Sequence, residues 1–125
     1  MIPDRGLGSG GLMGWFLQRL TGLLLIPAVL AHVWVTHYVL GDPGFHANEV
    51  SYQAVAERLS NPFWKLIDLG FLALVLFHGL RGVWNWLDES VHRPWFRIAL
   101  FSVVVVLGAA LAILGTVTIL PFRAS

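Results

Sequence analysis

The sequence predicts an all-α membrane protein, with three transmembrane helices and a short amphipathic helix in the outer loop between the first two. Three observations predict this class. Apolar residues fill 57% of the 125 positions and charged residues 12%, a balance too greasy for a soluble domain of this length. Three stretches are long enough, and free enough of charge, to cross ~30 Å of hydrocarbon as helix. The 13 glycines and 6 tryptophans suit close helix approach and indole rings at the headgroup level. The chain reads as one domain over residues 1–125. It has no cysteine, which excludes disulfides, thiolate-held zinc, iron–sulfur ligation and covalent c-type haem attachment by this chain. A net charge of +1 without a basic cluster gives no footprint for nucleic acid.

The first span is expected over residues 13–40. Its uncharged interval "LTGLLLIPAVLAHVWVTHYVLG" runs from Leu20 to Gly41, with Gln18 and Arg19 near its first end and Pro27 as an expected kink. Before it, "MIPDRGLGSGG" lacks the basic, apolar and small-residue order of a removable signal, so none is expected. In "SYQAVAERLSNP", Val55, Leu59 and Phe63 recur at four-residue spacing, which predicts a short helix lying at the surface. The second span is expected over residues 63–87, Asn61 capping it and Pro62 taking the first helical position. The third, residues 98–122, carries no charge at all. Arg5, Arg19, Arg81, Arg93 and Arg97 fall towards one side and Arg58, Lys65 and Arg123 towards the other. That bias predicts a cytoplasmic N-terminus in a multi-pass inner-membrane protein.

Five histidines raise the question of function. His46 and His92 lie in loops beside proline and glycine or arginine, where a solvated side chain is the expectation, and His37 sits at the outer interface beside Tyr38. His32 and His78 are deep. Counted from the outer span ends at ~1.5 Å per residue, they lie about 12 Å and about 22 Å down. Such unequal depths mean one chain cannot offer both axial ligands to one haem. Either each histidine serves its own haem with a second imidazole from another chain, or both rings only hydrogen-bond neighbouring helices. Arg81 follows His78 by three residues and shares its face, where a cation could meet a haem propionate or a lipid headgroup. Gly79 and Gly82 flank the same face, open to a flat macrocycle or to another helix.

The stretches "WFLQRLTGLLL" (Trp15–Leu25), His32, and "VAERLSNPFWKLIDLGFLALVLFHGLRGV" (Val55–Val83) together resemble the hydrophobic membrane-anchor subunits of succinate dehydrogenase, complex II, of the D type and the two-haem kind. The resemblance covers nearly all the chain after residue 12; the histidine with glycine four residues on, His78 and Gly82, is its most specific element, and the "RLTG" stretch around Arg19 is a weaker one. It implies a membrane anchor that docks a flavoprotein subunit and an iron–sulfur subunit, pairs with a C-type anchor in the lipid bilayer, and helps to form a quinone site. It implies haem b, two of them, shared with the partner anchor. His78 matches the family's haem ligand near the cytoplasmic side and His32 a position that is histidine in two-haem members. Arg19 matches a family arginine near quinone and propionate, and Trp15 and Trp86 join it as quinone candidates. One departure stands out: where many members end the second span with Asp-Tyr, this chain has Glu89 and Ser90, with Asp88 before them. Quinone contact then falls to Ser90, Trp86 or another subunit, and Asp88 and Glu89 become candidates for a proton relay. The C-type anchor has similar His-to-Gly spacing, so the C or D assignment stays open, as do two other readings: a haem-free structural anchor, and a cytochrome b anchor of another respiratory enzyme such as fumarate reductase, formate dehydrogenase or hydrogenase.

Overall fold

A computed structural model describes residues 11–36 and 52–121. His37 and His46, Arg5 and Arg123, and the expected end of the first span at Leu40 lie outside those residues. Four helices are present: α1 (Gly11–Trp34), α2 (Tyr52–Ser60), α3 (Pro62–Ser90) and α4 (Pro94–Ile119). Three of them, α1, α3 and α4, have the length and apolarity to cross a membrane, and the fold class is all-α as expected. α3 is the central element, packing against α1, α2 and α4.

The helix ends follow from local chemistry. Asn61 caps α3, its side-chain oxygen accepting from the Phe63 amide at 2.9 Å, and Pro62 opens the helix where no amide donor is needed. Pro94 does the same for α4, so this helix begins four residues before the charge-free window at Ile98; Arg97 in its first turn was the reason the window started late. α3 runs to Ser90, past the expected Leu87, and α4 stops at Ile119, two residues before Pro121. α1 continues helical through Pro27. α2 exists as expected but presents a different face: Ala56 and Leu59 are the buried positions, while Phe63 is exposed and belongs to α3, because the Asn61 cap breaks the four-residue register.

α3 and α4 meet through small residues. A Cβ added at Gly108 would lie 3.3 Å from Leu80 Cδ2, and one at Gly115 would lie 2.6 Å from Leu72 Cδ2, so two leucines of α3 seat in glycine notches one heptad apart on α4. Lys65 Nζ donates to Leu120 O at 3.0 Å, tying the start of α3 to the end of α4 and satisfying a terminal carbonyl. α2 is clamped by an ion pair. Arg58 Nη1 and Nη2 each donate to one Asp68 oxygen at 2.7 Å, with the guanidinium 4.9 Å from the Trp64 ring centre.

Little of the chain is enclosed. Among the described residues the buried apolar side chains are Ala56, Leu59 and Leu87, and no large side chain is wholly covered. Exposed leucines, isoleucines, valines and phenylalanines line all three long helices, the pattern of a surface solvated by lipid or covered by other membrane helices.

Candidate functional site

The site is the line of contact between α1 and α3. On α1 the residues of this stretch facing α3 are Gly14, Gln18 four residues on, and Thr21 and Gly22 three and four beyond that, which together form one stripe. On α3 they are His78, Arg81 and Gly82. The small residues let the helices approach closely enough for polar groups to reach across.

Thr21 is buried, and its Oγ1 lies 3.0 Å from His78 Nδ1. The same hydroxyl bonds back to its own helix, 2.8 Å from Leu17 O and 3.1 Å from Gln18 O. The His78 ring lies along Gly22, where an added Cβ would come within 3.0 Å of ring carbon Cε1. Gln18 Nε2 donates to the His78 carbonyl at 3.3 Å. The other ring nitrogen, Nε2, has no hydrogen-bond partner among the described residues and is not among the enclosed polar atoms.

One turn further on, the Arg81 guanidinium rests on Gly14; an added Cβ there would fall 2.0 Å from Nη2 and 2.8 Å from Cζ. Arg81 makes no hydrogen bond or ion pair among the described residues, and its Nε is enclosed without an acceptor. Gln18 Oε1 is likewise enclosed and unpaired. A permanent cation with idle donors, beside an imidazole with an open nitrogen, is an arrangement in want of an anion and a Lewis acid.

His32 occupies a different level. Its ring stacks on Phe71 with centroids 4.9 Å apart and planes 20° from parallel, and it is exposed on this chain. It borders a cavity of about 270 Å³ between α1 and α3, lined also by Ala28, Phe71, Trp64 and the Arg58–Asp68 pair. His78 and its neighbour Thr21 define one level, His32 and Phe71 the other. The two levels are seven residues apart on α3 and eleven on α1, roughly 10 to 16 Å of helical rise. The structure therefore keeps the two histidines apart, and no group of three or more His, Asp or Glu residues converges anywhere among the described residues. Each ring could offer one ligand to a separate centre, and no second imidazole is brought to either ring by the described residues.

The remaining expected residues are dispersed. Arg19 is exposed, its guanidinium 4.9 Å from the Trp15 ring, which joins these two candidates near the start of α1. Trp86 and Ser90 are exposed one turn apart at the end of α3, with no hydrogen bond or ring contact to the Arg19–Trp15 pair. Asp88 is engaged by Arg97, whose guanidinium lies 5.5 Å from the Trp84 ring, while Glu89 is exposed. His92 sits exposed in the α3–α4 turn. Sequence reasoning missed Gly14, Thr21 and Gly22 as neighbours of Arg81 and His78. The signal was present in "RLTG", a stretch distinctive by its resemblance whose threonine and glycine gain partners only in the packed helices.

Comparison with known proteins bears on these residues. A curated protein of Archaeoglobus fulgidus named "Succinate dehydrogenase hydrophobic membrane anchor subunit" is 35% identical over 71 residues, 57% of this chain and 56% of that relative, so the matched region spans little more than half its length. A protein of the same name from Thermoplasma acidophilum is 26% identical over 111 residues, 83% of this chain and 86% of the relative. The family profile described as succinate dehydrogenase/fumarate reductase transmembrane subunit matches residues 1–111, nearly the whole chain, with both histidine levels inside the match. This chain belongs to the succinate dehydrogenase/fumarate reductase transmembrane subunit family.

Proposed function

We propose that the chain is a haem b-binding membrane anchor of a succinate:quinone oxidoreductase, holding one axial imidazole for each of two haems and leaving succinate oxidation to other chains. The observation that carries the reading is His78: an imidazole steadied on one nitrogen by Thr21, open on the other, with the unpaired Arg81 cation one turn away. The donor chemistry fits the group. Imidazole is a common axial ligand to haem iron, and an arginine with unused donors suits a propionate. A haem held between two imidazoles has its iron coordination filled and passes single electrons without binding oxygen.

The chain's own residues have three roles in this reading. His78 and His32 supply ligands at separate levels, one chain covering two centres. Arg81, seated on Gly14, and Arg19, stacked on Trp15, supply positive charge for propionates or for a quinone oxygen gaining negative charge. Trp86 and Ser90 stand where quinone contact falls in the absence of the family tyrosine, and Glu89 and Asp88 are the nearby carboxylates for proton delivery, Asp88 being the one already held by Arg97. The exposed apolar faces suit a second, C-type anchor, and the α3–α4 turn, carrying His92 and Arg93 and expected on the cytoplasmic side, suits the iron–sulfur and flavoprotein subunits.

A second reading has an observation of its own. Both rings have protein neighbours here, His78 through Thr21 and His32 through Phe71, as a haem-free anchor also requires. Reduced-minus-oxidised spectra of the purified complex separate the two. Two b-type signals are expected, His78→Ala removing one and His32→Ala the other. Loss of both from either substitution, or of neither, overturns the two-centre reading, and a wild-type complex without a b-type band establishes the structural anchor.

A further inference from the structure

The structure assigns to Thr21, with Gly22 beside it, the further role of positioning His78 by fixing its ring as the Nδ1–H tautomer, so that Nε2 presents its lone pair at the helix surface. The tautomer follows from proton accounting at one hydroxyl. Thr21 Oγ1 carries one proton and has three polar neighbours: Leu17 O at 2.8 Å, Gln18 O at 3.1 Å and His78 Nδ1 at 3.0 Å. The two carbonyls can only accept. When the hydroxyl donates to Leu17 O, its lone pair accepts from Nδ1–H and every proton has a partner. When it donates to Nδ1 instead, the ring proton moves to Nε2, which has no acceptor among the described residues. Within a membrane helix a stranded donor is strongly disfavoured, so the first arrangement prevails.

The geometry around the ring fixes its orientation, which keeps Nδ1 facing Thr21, while the proton accounting sets the tautomer. Gly22 lies against Cε1, Nδ1 and Nε2, at 3.0, 3.6 and 3.8 Å from the position a Cβ would take, so one edge of the imidazole rests on bare helix. A flipped ring exchanges Nδ1 for a carbon and loses the bond to Thr21. Thr21 also differs from its fellows. Among the described residues Thr36, Thr116, Thr118 and Ser102 bond only to carbonyls three or four positions before them, whereas Thr21 additionally reaches a side chain on another helix. The "RLTG" stretch thereby acquires a physical reason for its threonine and its glycine.

An imidazole donating through Nδ1 is more electron-rich at Nε2 and so a better ligand, and it favours the more oxidised metal. His32 has no such ring hydrogen bond among the described residues, only the stack on Phe71. The two imidazoles thus differ in donor strength. This consequence rests on the haem reading above, whereas the tautomer does not.

The test has one arm for each. The full chain, labelled with ¹⁵N-histidine and placed in lipid bilayers without haem, is examined by solid-state NMR at mildly alkaline pH, with the His78 signals assigned from their loss in His78→Gln. A protonated Nδ1 with a bare Nε2 is expected in the wild type and in Thr21→Ser, and a shift of population towards Nε2–H in Thr21→Val. An Nε2–H tautomer in the wild type overturns the inference without any Thr21 variant having to fold. In the assembled complex, Thr21→Val is expected to raise the midpoint potential of the b-type signal that His78→Ala removes, leaving the other unmoved, with Thr21→Ser restoring it. An unchanged potential refutes the effect on ligand strength. Absence of any b-type band in the wild-type complex refutes the haem reading alone, because the NMR arm still decides the tautomer.

Discussion

Replacing Asp68 by asparagine puts the clamp on α2 to a quantitative test. The Arg58 and Asp68 side chains are only 9% and 12% exposed, and both carboxylate oxygens are used. The Asp68→Asn change keeps the size but removes the charge, leaving the guanidinium enclosed without a counter-ion, a loss of about 3–5 kcal/mol for a broken buried pair. Little else holds α2 in place. It has nine residues, too few to persist as an isolated helix, and it buries Ala56 and Leu59. Full burial of one leucine contributes roughly 1.5–3 kcal/mol, so the ion pair is at least as large as the apolar contact. At ~1.4 kcal/mol per decade, undocking of α2 rises roughly 10²- to 10³-fold. Hydrogen–deuterium exchange of the amides of residues 52–60, in protein held in lipid nanodiscs, reads that ratio directly. The double replacement Arg58→Met, Asp68→Leu removes both charges and is expected to recover most of the protection. Exchange in Asp68→Asn within a few-fold of wild type would show that the clamp contributes little and that the enclosure of these charges has been misjudged.

Gly14→Val drives a side chain into the Arg81 guanidinium and displaces it, an overpacking that lowers stability in bicelles by about 1–3 kcal/mol, and Gly14→Val, Arg81→Met regains most of it. Gly115→Leu fills the notch that takes Leu72 and pushes α4 from α3 by roughly 1–2 Å within the usual 8–10 Å helix spacing. Paired spin labels read that displacement, because a chain without native cysteine accepts labels at chosen sites alone. Lys65→Met frees the Leu120 carbonyl and frays the last turn of α4 by about 1 kcal/mol or less, seen as up to about fivefold faster amide exchange there.

The spans were legible because each is set by composition over some twenty residues, and the Asn61-Pro62 start of α3 because a cap is a local event. The four-residue pattern Val55, Leu59, Phe63 misled for the same reason: the cap at Asn61 ends one helix and begins another inside the pattern. The separation of His32 and His78 was legible from depth alone, since rise per residue is fixed. What the sequence did not disclose is which residues of α1 meet them. Thr21 and His78 are 57 positions apart, and a helical threonine that bonds across to a neighbour looks, in one dimension, like Thr36 or Thr118, which bond only backwards. Gly14 and Gly22 were two among 13 glycines until packing gave each an opposite number, Arg81 and His78.

The scarcity of enclosed side chains inverts the usual map of mutational sensitivity. In a soluble domain the damaging changes shrink large apolar residues, because a rigid interior cannot collapse into the void. Here the exposed leucines, valines and phenylalanines that face lipid border a fluid that reflows around a smaller neighbour, so trimming those does little harm. Intolerance concentrates instead at four glycines, a threonine and the Arg58–Asp68 clamp, positions where an enlargement, or the loss of one hydroxyl or charge, disturbs a fixed partner. A saturation scan of this chain should consequently light up at its smallest residues and stay dark across its greasiest ones.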